Sequence, residues 1–379
     1  MPVSHAQAGV SSLLEMLAGI ADPRDPRGVR HPLLAVLGVA VVATLAGAAN
    51  YRELGSTAAD LPQRLLRLLG ARWARSRLRL AAPSGATLRR VLIGLDADEL
   101  DRAVGAWLRE HAACDRQGWA IALDGKDLRG AWADDGRLVL FSAMTHRTGR
   151  CDAVVLGQIA VPEGTTETTQ VRTLLDQADI AGALVTADAA HTCIETARYL
   201  VEDKQADYLL TIKGNRSSLH AAAIAVGREL VGAEPGHVLE ERGHGRINRW
   251  TTWATDIDQS IGLPHGARLA VIRRDVADLA GQPISKEIAL VATSRPGLTA
   301  AQISGHTRRH WGIENLQHRP RDTVWREDDQ QAHHGNGPRV MATLRNLSLG
   351  LFAINGITKI TETVQAIGRR PMRAVPLIT

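Results

Sequence analysis

The sequence predicts a mixed α/β protein with a helical N-terminal region, a sheet with helical crossovers, and a β-rich insertion set inside that α/β unit. Three observations predict it. Apolar spacing is helical through the first 112 or so residues, and three strand-like runs at hairpin spacing begin at Trp119. Helix and strand patterns then alternate as far as Gly214, as parallel strands require of their connections.

In order along the chain, residues 1–112 carry helical spacing at Leu13 to Ile20, an uncharged run from Pro32 to Asn50, and a further helical stretch from Leu61 to Leu80. The uncharged run approaches bilayer length, but its Ala and Gly content and the lack of a second such run favour a buried helix. Acidic Glu15, Asp22 and Asp25 before it argue against a signal peptide. Pro83-Ser84 starts one short helix and a second follows Asp96, a pair compatible with a helix-turn-helix-like DNA reader or with any helical bundle.

The sheet unit, residues 113–236, opens with strands Trp119–Asp124, Arg137–His146 and Asp152–Val161, which predict an antiparallel meander. A helix from Thr168 to about Ala178, a strand from Gly182 to Asp188, a helix from Cys193 to Gln205 and a strand from Ala206 to Gly214 follow. Residues 237–298 read as the β-rich insertion, residues 299–358 as a helical ending, and residues 359–379 as a C-terminal tail whose end, Arg369 to Thr379, is expected to be loosely ordered.

A net charge of +5 and a pI near 9.4 favour a polyanionic partner. No Asp or Glu occurs between Leu61 and Leu95, whereas eight arginines do, among them Arg75, Arg77 and Arg79. Such a block is either a phosphate-binding surface or the solvated face of amphipathic helices. Cys114, Cys151 and Cys193 are odd in number and form no CxxC pair, which predicts free thiols and a reducing cytoplasm rather than a disulfide framework. His310, His318, His333 and His334 lack cysteine partners and zinc-ligand spacing.

Asp124 and Asp188 each end an apolar strand, where acids from separate strands can converge on one point. A pair of carboxylates with open positions suits Mg2+ or Mn2+, and two such ions can drive phosphodiester chemistry. Glu314, in RRHWGIEN, is the candidate third acid, with Arg308 and Arg309 upstream to engage phosphates. Lys126 and His191 are candidates for phosphate contact beside the two aspartates, and Lys213 for contact at the end of a third strand. Arg242, His244, Arg246 and Arg249 predict a basic hairpin in the insertion, suited to the DNA backbone.

The strings ALDGKDLRG, VTADAAHT, DYLLTIKGN, ERGHGRINR, HWGIEN and GNGPRVMATLRNLSLGL, in that order, resemble the transposases of the H-repeat-associated family of bacterial insertion sequences. The likeness extends to PRDPRGVRHPL and PSGATLRRVL near the N-terminus. It implies an RNase H-like DDE core whose acids fall on Asp124, Asp188 and Glu314 and hold divalent metal. It also implies cleavage and joining of double-stranded DNA at element ends and target, a homodimer on synapsed DNA, a nucleoid-associated cytoplasmic location and no membrane.

One departure bears on activity. Where the family carries Trp and an aliphatic run before the Asp, this chain reads Arg319-Pro320-Arg321-Asp322. Proline in a continuing helix removes a hydrogen bond and clashes one turn back, costing ~3 kcal/mol or more. An active transposase, an impaired copy that binds element ends, and a metal-dependent nuclease of the same fold are therefore the competing functions.

Overall fold

The computed structural model describes residues 12–133, 136–258, 261–330 and 334–379. The N-terminal region contains α1 (Leu13–Ala18), α2 (Leu33–Leu45), α3 (Tyr51–Ala59) and α4 (Gln63–Leu68), a ribbon of β1 (Trp73–Ala74) and β2 (Arg79–Leu80), then α5 (Gly85–Gly94) and α6 (Ala97–His111). Helix α2 is the uncharged run, and twelve of its thirteen residues are buried. No described helix is long and apolar enough to cross a membrane.

The helix expected through Leu80 stops early. Gly70 takes φ +71°, and Ala71 N–H returns to Leu66 O, a left-handed C-terminal cap. The arginine-rich segment then doubles back, pairing Trp73 with Leu80. Of the two readings of the α5–α6 pair, the packing favours a helical bundle. Helix α6 packs on β5 (Val155–Ala160) and α12 (Gly337–Ile354), with Arg109 donating to Leu156 O, so one face of it belongs to the core.

The sheet begins with β3 (Ala120–Ala133), β4 (Gly136–Thr145) and β5, an antiparallel meander. Next come α7 (Val171–Leu175), β6 (Leu184–Ala187), α8 (Ile194–Arg198) and β7 (Asp207–Ile212), with β6 parallel to both β3 and β7. The order β5-β4-β3-β6-β7 is the RNase H-like mixed sheet. Helix α9 (Ser217–Leu230), not expected from the sequence, leads into the insertion strands β8 (His237–Gly243), β9 (Arg246–Asp256), β10 (Arg268–Asp278) and β11 (Pro283–Thr293). Because β11 pairs with β7, the insertion extends the same sheet, and nine described strands form one surface.

Helices α10 (Ala300–His310), α11 (Arg319–Trp325), α12, α13 (Ile360–Arg369) and α14 (Val375–Ile378) complete the chain. The tail expected to be loose is packed instead. Ala374 and Ile378 are buried, because the apolar face of the last turns docks against α2 and α12. Helix α12 joins the two ends of the molecule. Arg345 Nη2 and Gln330 Nε2 donate to Ala49 O, and Trp325 Nε1 donates to Thr44 O, satisfying carbonyls at and just beyond the end of α2. Beneath them Glu327 accepts from Arg321 at 2.7 Å and from Arg345 at 2.5 Å, and all three are fully buried.

A disulfide joins Cys114 and Cys151, contrary to the expectation of free thiols. The segment after α6 runs beside the β4–β5 turn, with Asp152 N–H on Ala113 O and Asp115 N–H on Arg150 O, a proximity hidden by 37 residues of separation. Cys193 is free and buried.

Candidate active site

The register of the central sheet brings the two aspartates together. Strands β3 and β6 pair in parallel up to Leu123 and Ala187, so Asp124 and Asp188 stand side by side one step further on. Strand β3 does not end at Asp124 as expected. It continues antiparallel to β4, pairing Asp124 with Ser142, while β6 stops. Asp188 instead caps a 3-10 turn at Ala189–His191, its Oδ1 accepting Ala190 N–H at 2.9 Å. Asp127, three residues along the continuing strand, pairs with Arg137.

Glu314 arrives from the other side of the same cleft. A capping box of Thr299 and Gln302 starts α10, whose buried Ile303 and His306 seat it on the sheet. The helix then widens into a π turn, Glu314–His318, in which Arg319 N–H reaches back to Glu314 O. Pro320 is the second residue of α11 and buried, so the helix runs past it. Its missing N–H falls where the π turn has already shifted the hydrogen-bond ladder, which removes the expected break. Gln317 Nε2, bonded to Ser142 Oγ and Asn346 Oδ1, pins the π turn to β4 and α12.

Asp124, Asp188 and Glu314 line one open cleft of about 540 Å³ together with Thr186, Thr211, Lys213, His310 and Trp311. The Asp124 carboxyl is raised to about 7, mainly by burial and next by the negative charge of Glu167, with smaller upward pushes from Glu314 and Asp188 and a downward one from the Gly125 N–H. Asp188 and Glu314 are exposed to the cleft, and among the described residues no cationic side chain pairs with either. Carboxylate oxygens suit a hard divalent cation such as Mg2+ or Mn2+, but as placed no three acidic, histidine or cysteine side chains among the described residues stand close enough together to hold one.

The imidazoles around the site are neutral. His318 Nδ1 lies 3.5 Å from Asp124 Oδ2, but burial lowers its pKa to about 3, so the contact is not an ion pair. His310, lowered to about 4 by burial, shares Thr186 Oγ1 with His146 beneath the acids. The two histidines therefore serve different partners.

Of the other candidates, Lys213 is exposed in the cleft. Lys126 is not at its mouth. It is buried, its Nζ held by Asp322 at 2.7 Å and Asp328 at 3.4 Å, because the continuing strand carries it beneath α11 and the turn that follows. His191 is likewise buried, stacked on Phe141, and faces no solvent. Arg308 is committed to Glu241 and to the face of Trp250, 4.2 Å away, whereas Arg309 is exposed. Arg242, Arg246 and Arg249 are on the β8–β9 hairpin, Arg242 exposed beside Glu240. Arg75, Arg77 and Arg79 are exposed on the N-terminal ribbon with Leu78 at its tip. His333 lies outside the described residues.

Sequence reasoning missed Trp311 and weighed His310 only as a zinc ligand. His310 stands four residues before Glu314, a spacing that shares a helix face and is readable in the sequence. Trp311 is half exposed at the cleft edge with the Arg274 guanidinium 5.7 Å from its ring. Glu167 sits in a polar loop without periodicity, and only the fold brings its carboxylate against Gly125.

Residues 115–351 match the model of the transposase DDE domain, and residues 14–108 match the family described as DDE_Tnp_1-associated. YncI of Escherichia coli O157:H7, named as a candidate transposase, is 26% identical over 359 residues, covering 90% of this chain and 87% of that one. YhhI of Escherichia coli strain K12, named as a candidate H repeat-associated transposase, is 24% identical over 368 residues, 92% of each chain. Among solved structures, a piggyBac transposase synaptic complex with hairpin DNA aligns with 95% of this chain and 77% of its own at TM-score 0.43 and 8% identity.

Proposed function

The chain belongs to the transposase DDE domain family, and from that premise we propose that it cuts DNA at the ends of an insertion sequence and joins those ends to a target, with Asp124, Asp188 and Glu314 as the acids of the reaction. The observation that carries this reading is the juxtaposition of the two aspartates, one step beyond the last parallel pair, in the cleft that Glu314 also lines. Asp124, Asp188 and Glu314 would hold the divalent ions, whose positive charge would favour activation of the attacking oxygen and departure of the leaving one.

The residues of the chain supply position and charge. Asp188, fixed by the Ala190 N–H, and Glu314, carried on the π turn, present oxygens to the cleft that Asp124 also lines. Lys213 and Arg309 offer cations to the phosphates next to the reacting one. The arginines of the β8–β9 hairpin and of the N-terminal ribbon suit the backbone of a duplex leaving the site. Water attacks the phosphodiester at the element end, and the freed 3′-hydroxyl then attacks target DNA. Magnesium or manganese, a dimer on paired ends, and action in the cytoplasm are parts of the same proposal.

The test uses duplexes that carry the inverted repeats flanking the coding sequence. Asp124→Ala, Asp188→Ala and Glu314→Ala should each abolish metal-dependent cleavage while gel-shift affinity stays near that of the wild type. A variant that cleaves at the wild-type rate removes its residue from the site.

A further inference from the structure

We propose that a cavity in the N-terminal region, walled by the Arg24–His31 loop, the β1–β2 ribbon and the first turns of α5, takes backbone phosphates of the element-end duplex. This rests on the reading of the chain as an enzyme of insertion-sequence ends, and it adds a phosphate site outside the catalytic cleft. The cavity measures about 850 Å³, and Arg24, Arg27, Arg30, Arg72, Arg77 and Arg90 line it. Asp25 is the one acid in that lining among the described residues, and its Oδ1 already accepts the Arg27 N–H at 2.9 Å. Arg24 is spent on Asp22, to which its Nε and Nη2 donate at 2.7 and 2.6 Å. None of the other five arginines pairs with a carboxylate among the described residues, and all five are exposed. Concave walls of low dielectric focus the field of such a cluster, so an anion is held there more strongly than on an open surface. The planar fork of each arginine matches phosphate oxygens two at a time.

The walls are held in place by bonds of their own. Arg24 Nη2 also donates to His31 O at 2.9 Å, which closes the loop, and Asp25 caps the 3-10 turn Pro26–Gly28 that carries Arg27. Gln63 of α4 bonds the N–H and the carbonyl of Leu80 at 2.8 and 3.1 Å, fixing the ribbon to the helix before it. His31, 6% exposed in the cavity wall, stands with Nε2 3.4 Å from Arg72 Nε. Burial and the charges of Arg72 and Arg24 lower its pKa, so the ring is neutral and accepts from Arg72. The terminal nitrogens of Arg72 are thereby left for a ligand, and His31 Nδ1 has no partner among the described residues. Helix α5, ten residues long and capped by Ser84, turns its positive end to the same cavity. Five unpaired arginines on a loop, a ribbon and a helix exceed what one small anion uses, and they suit successive phosphates of a DNA strand.

The experiment follows binding of the full-length protein to a fluorescent end duplex by anisotropy over a range of salt, in EDTA to prevent cleavage. It compares wild type, the triple variant Arg30→Gln, Arg72→Gln, Arg90→Gln, and a charge-matched control, Arg369→Gln, Arg370→Gln, Arg373→Gln, outside the cavity lining. The cavity triple should weaken binding by at least about tenfold and lower the slope of log affinity against log salt by ~0.9 for each phosphate released, with a much smaller effect in the control. Equal losses in the two triples would reduce the cavity to general attraction and overturn the proposal. Should the cavity triple lose the wild-type thermal midpoint, phenylglyoxal labelling of the wild type, read by mass spectrometry, replaces it. The duplex should protect Arg27, Arg30, Arg72 and Arg90, and full labelling of these with duplex bound would overturn the site. Protection by inorganic phosphate and not by duplex would make it a small-anion site and overturn the DNA occupant. Wild-type affinity and slope in the cavity triple, where the wild type cleaves the duplex in Mg2+, would overturn the cavity and leave the function standing. A wild type that neither binds nor cleaves the end duplex would overturn both.

Discussion

Glu327→Gln should destabilise the protein without touching its chemistry. The Glu327 carboxylate is 2% exposed and stands between Arg321 and Arg345, each 0% exposed, at 2.7 and 2.5 Å. Neutralising it leaves two buried guanidiniums without a counter-charge, and breaking a buried pair in this way costs about 3–5 kcal/mol. The proton equilibrium gives a matching size. Burial alone would raise the Glu327 pKa, but Arg321 and Arg345 outweigh it and bring it from 4.5 to about 2. A carboxyl depressed that far contributes on the order of 3 kcal/mol. The native state binds this proton less readily than the unfolded chain, so the contribution is complete above pH 4.5 and is lost as pH falls toward 2. Urea unfolding should show a lower midpoint for the variant at pH 7, and a gap to wild type that narrows as pH falls from 4.5 toward 2. Below its melting range the variant should still cleave DNA, unlike Glu314→Gln. Equal midpoints at pH 7, or a gap that holds constant with acid, would refute the buried triad.

Replacing Arg75, Arg77 and Arg79 together with Gln should flatten the slope of log affinity against log salt by up to ~0.9 for each phosphate that the ribbon neutralises, and an unchanged slope assigns the ribbon to solvent. Pro320→Ala should leave the cleavage rate within about twofold of wild type, since the π turn already accommodates the missing N–H; a gain of about tenfold or more would show that proline displaces Glu314. Arg321→Leu should lower the urea midpoint rather than raise activity, because Arg321 also donates to Gln158 and Asn346. An unchanged midpoint would show that the Glu327–Arg345 pair suffices.

The central sheet was legible because its strands carry their apolar residues in short runs bounded by turns, and Asp124 and Asp188 end the two runs that pair in parallel. Their meeting point followed from strand order alone. Glu314 was reached as the acid of a helical stretch on which the resemblance also fell, whereas the π turn that bears it has no signature in residue type. What the sequence hid was long-range. Lys126 looked like a loop lysine until β3 proved to continue and bury it against Asp322 and Asp328. Arg321 looked like damage to an aliphatic run, and its partner Glu327 became visible only once α11 was folded back toward α12. The Cys114–Cys151 link and the place of Glu167 likewise depend on loops whose composition says nothing about their neighbours.

The most direct test of the metal-dependent centre is cleavage of an end duplex with sulfur in place of one nonbridging oxygen at the scissile phosphate. Mg2+ prefers hard oxygen ligands and Mn2+ accepts sulfur more readily. With one of the two phosphorothioate isomers, wild type should be slow in Mg2+ and recover in Mn2+, while Asp124→Asn should cleave in neither. Equal cleavage of both isomers in the two metals, or cleavage that persists in EDTA, would contradict a metal ion held by Asp124, Asp188 and Glu314 at the reacting phosphate.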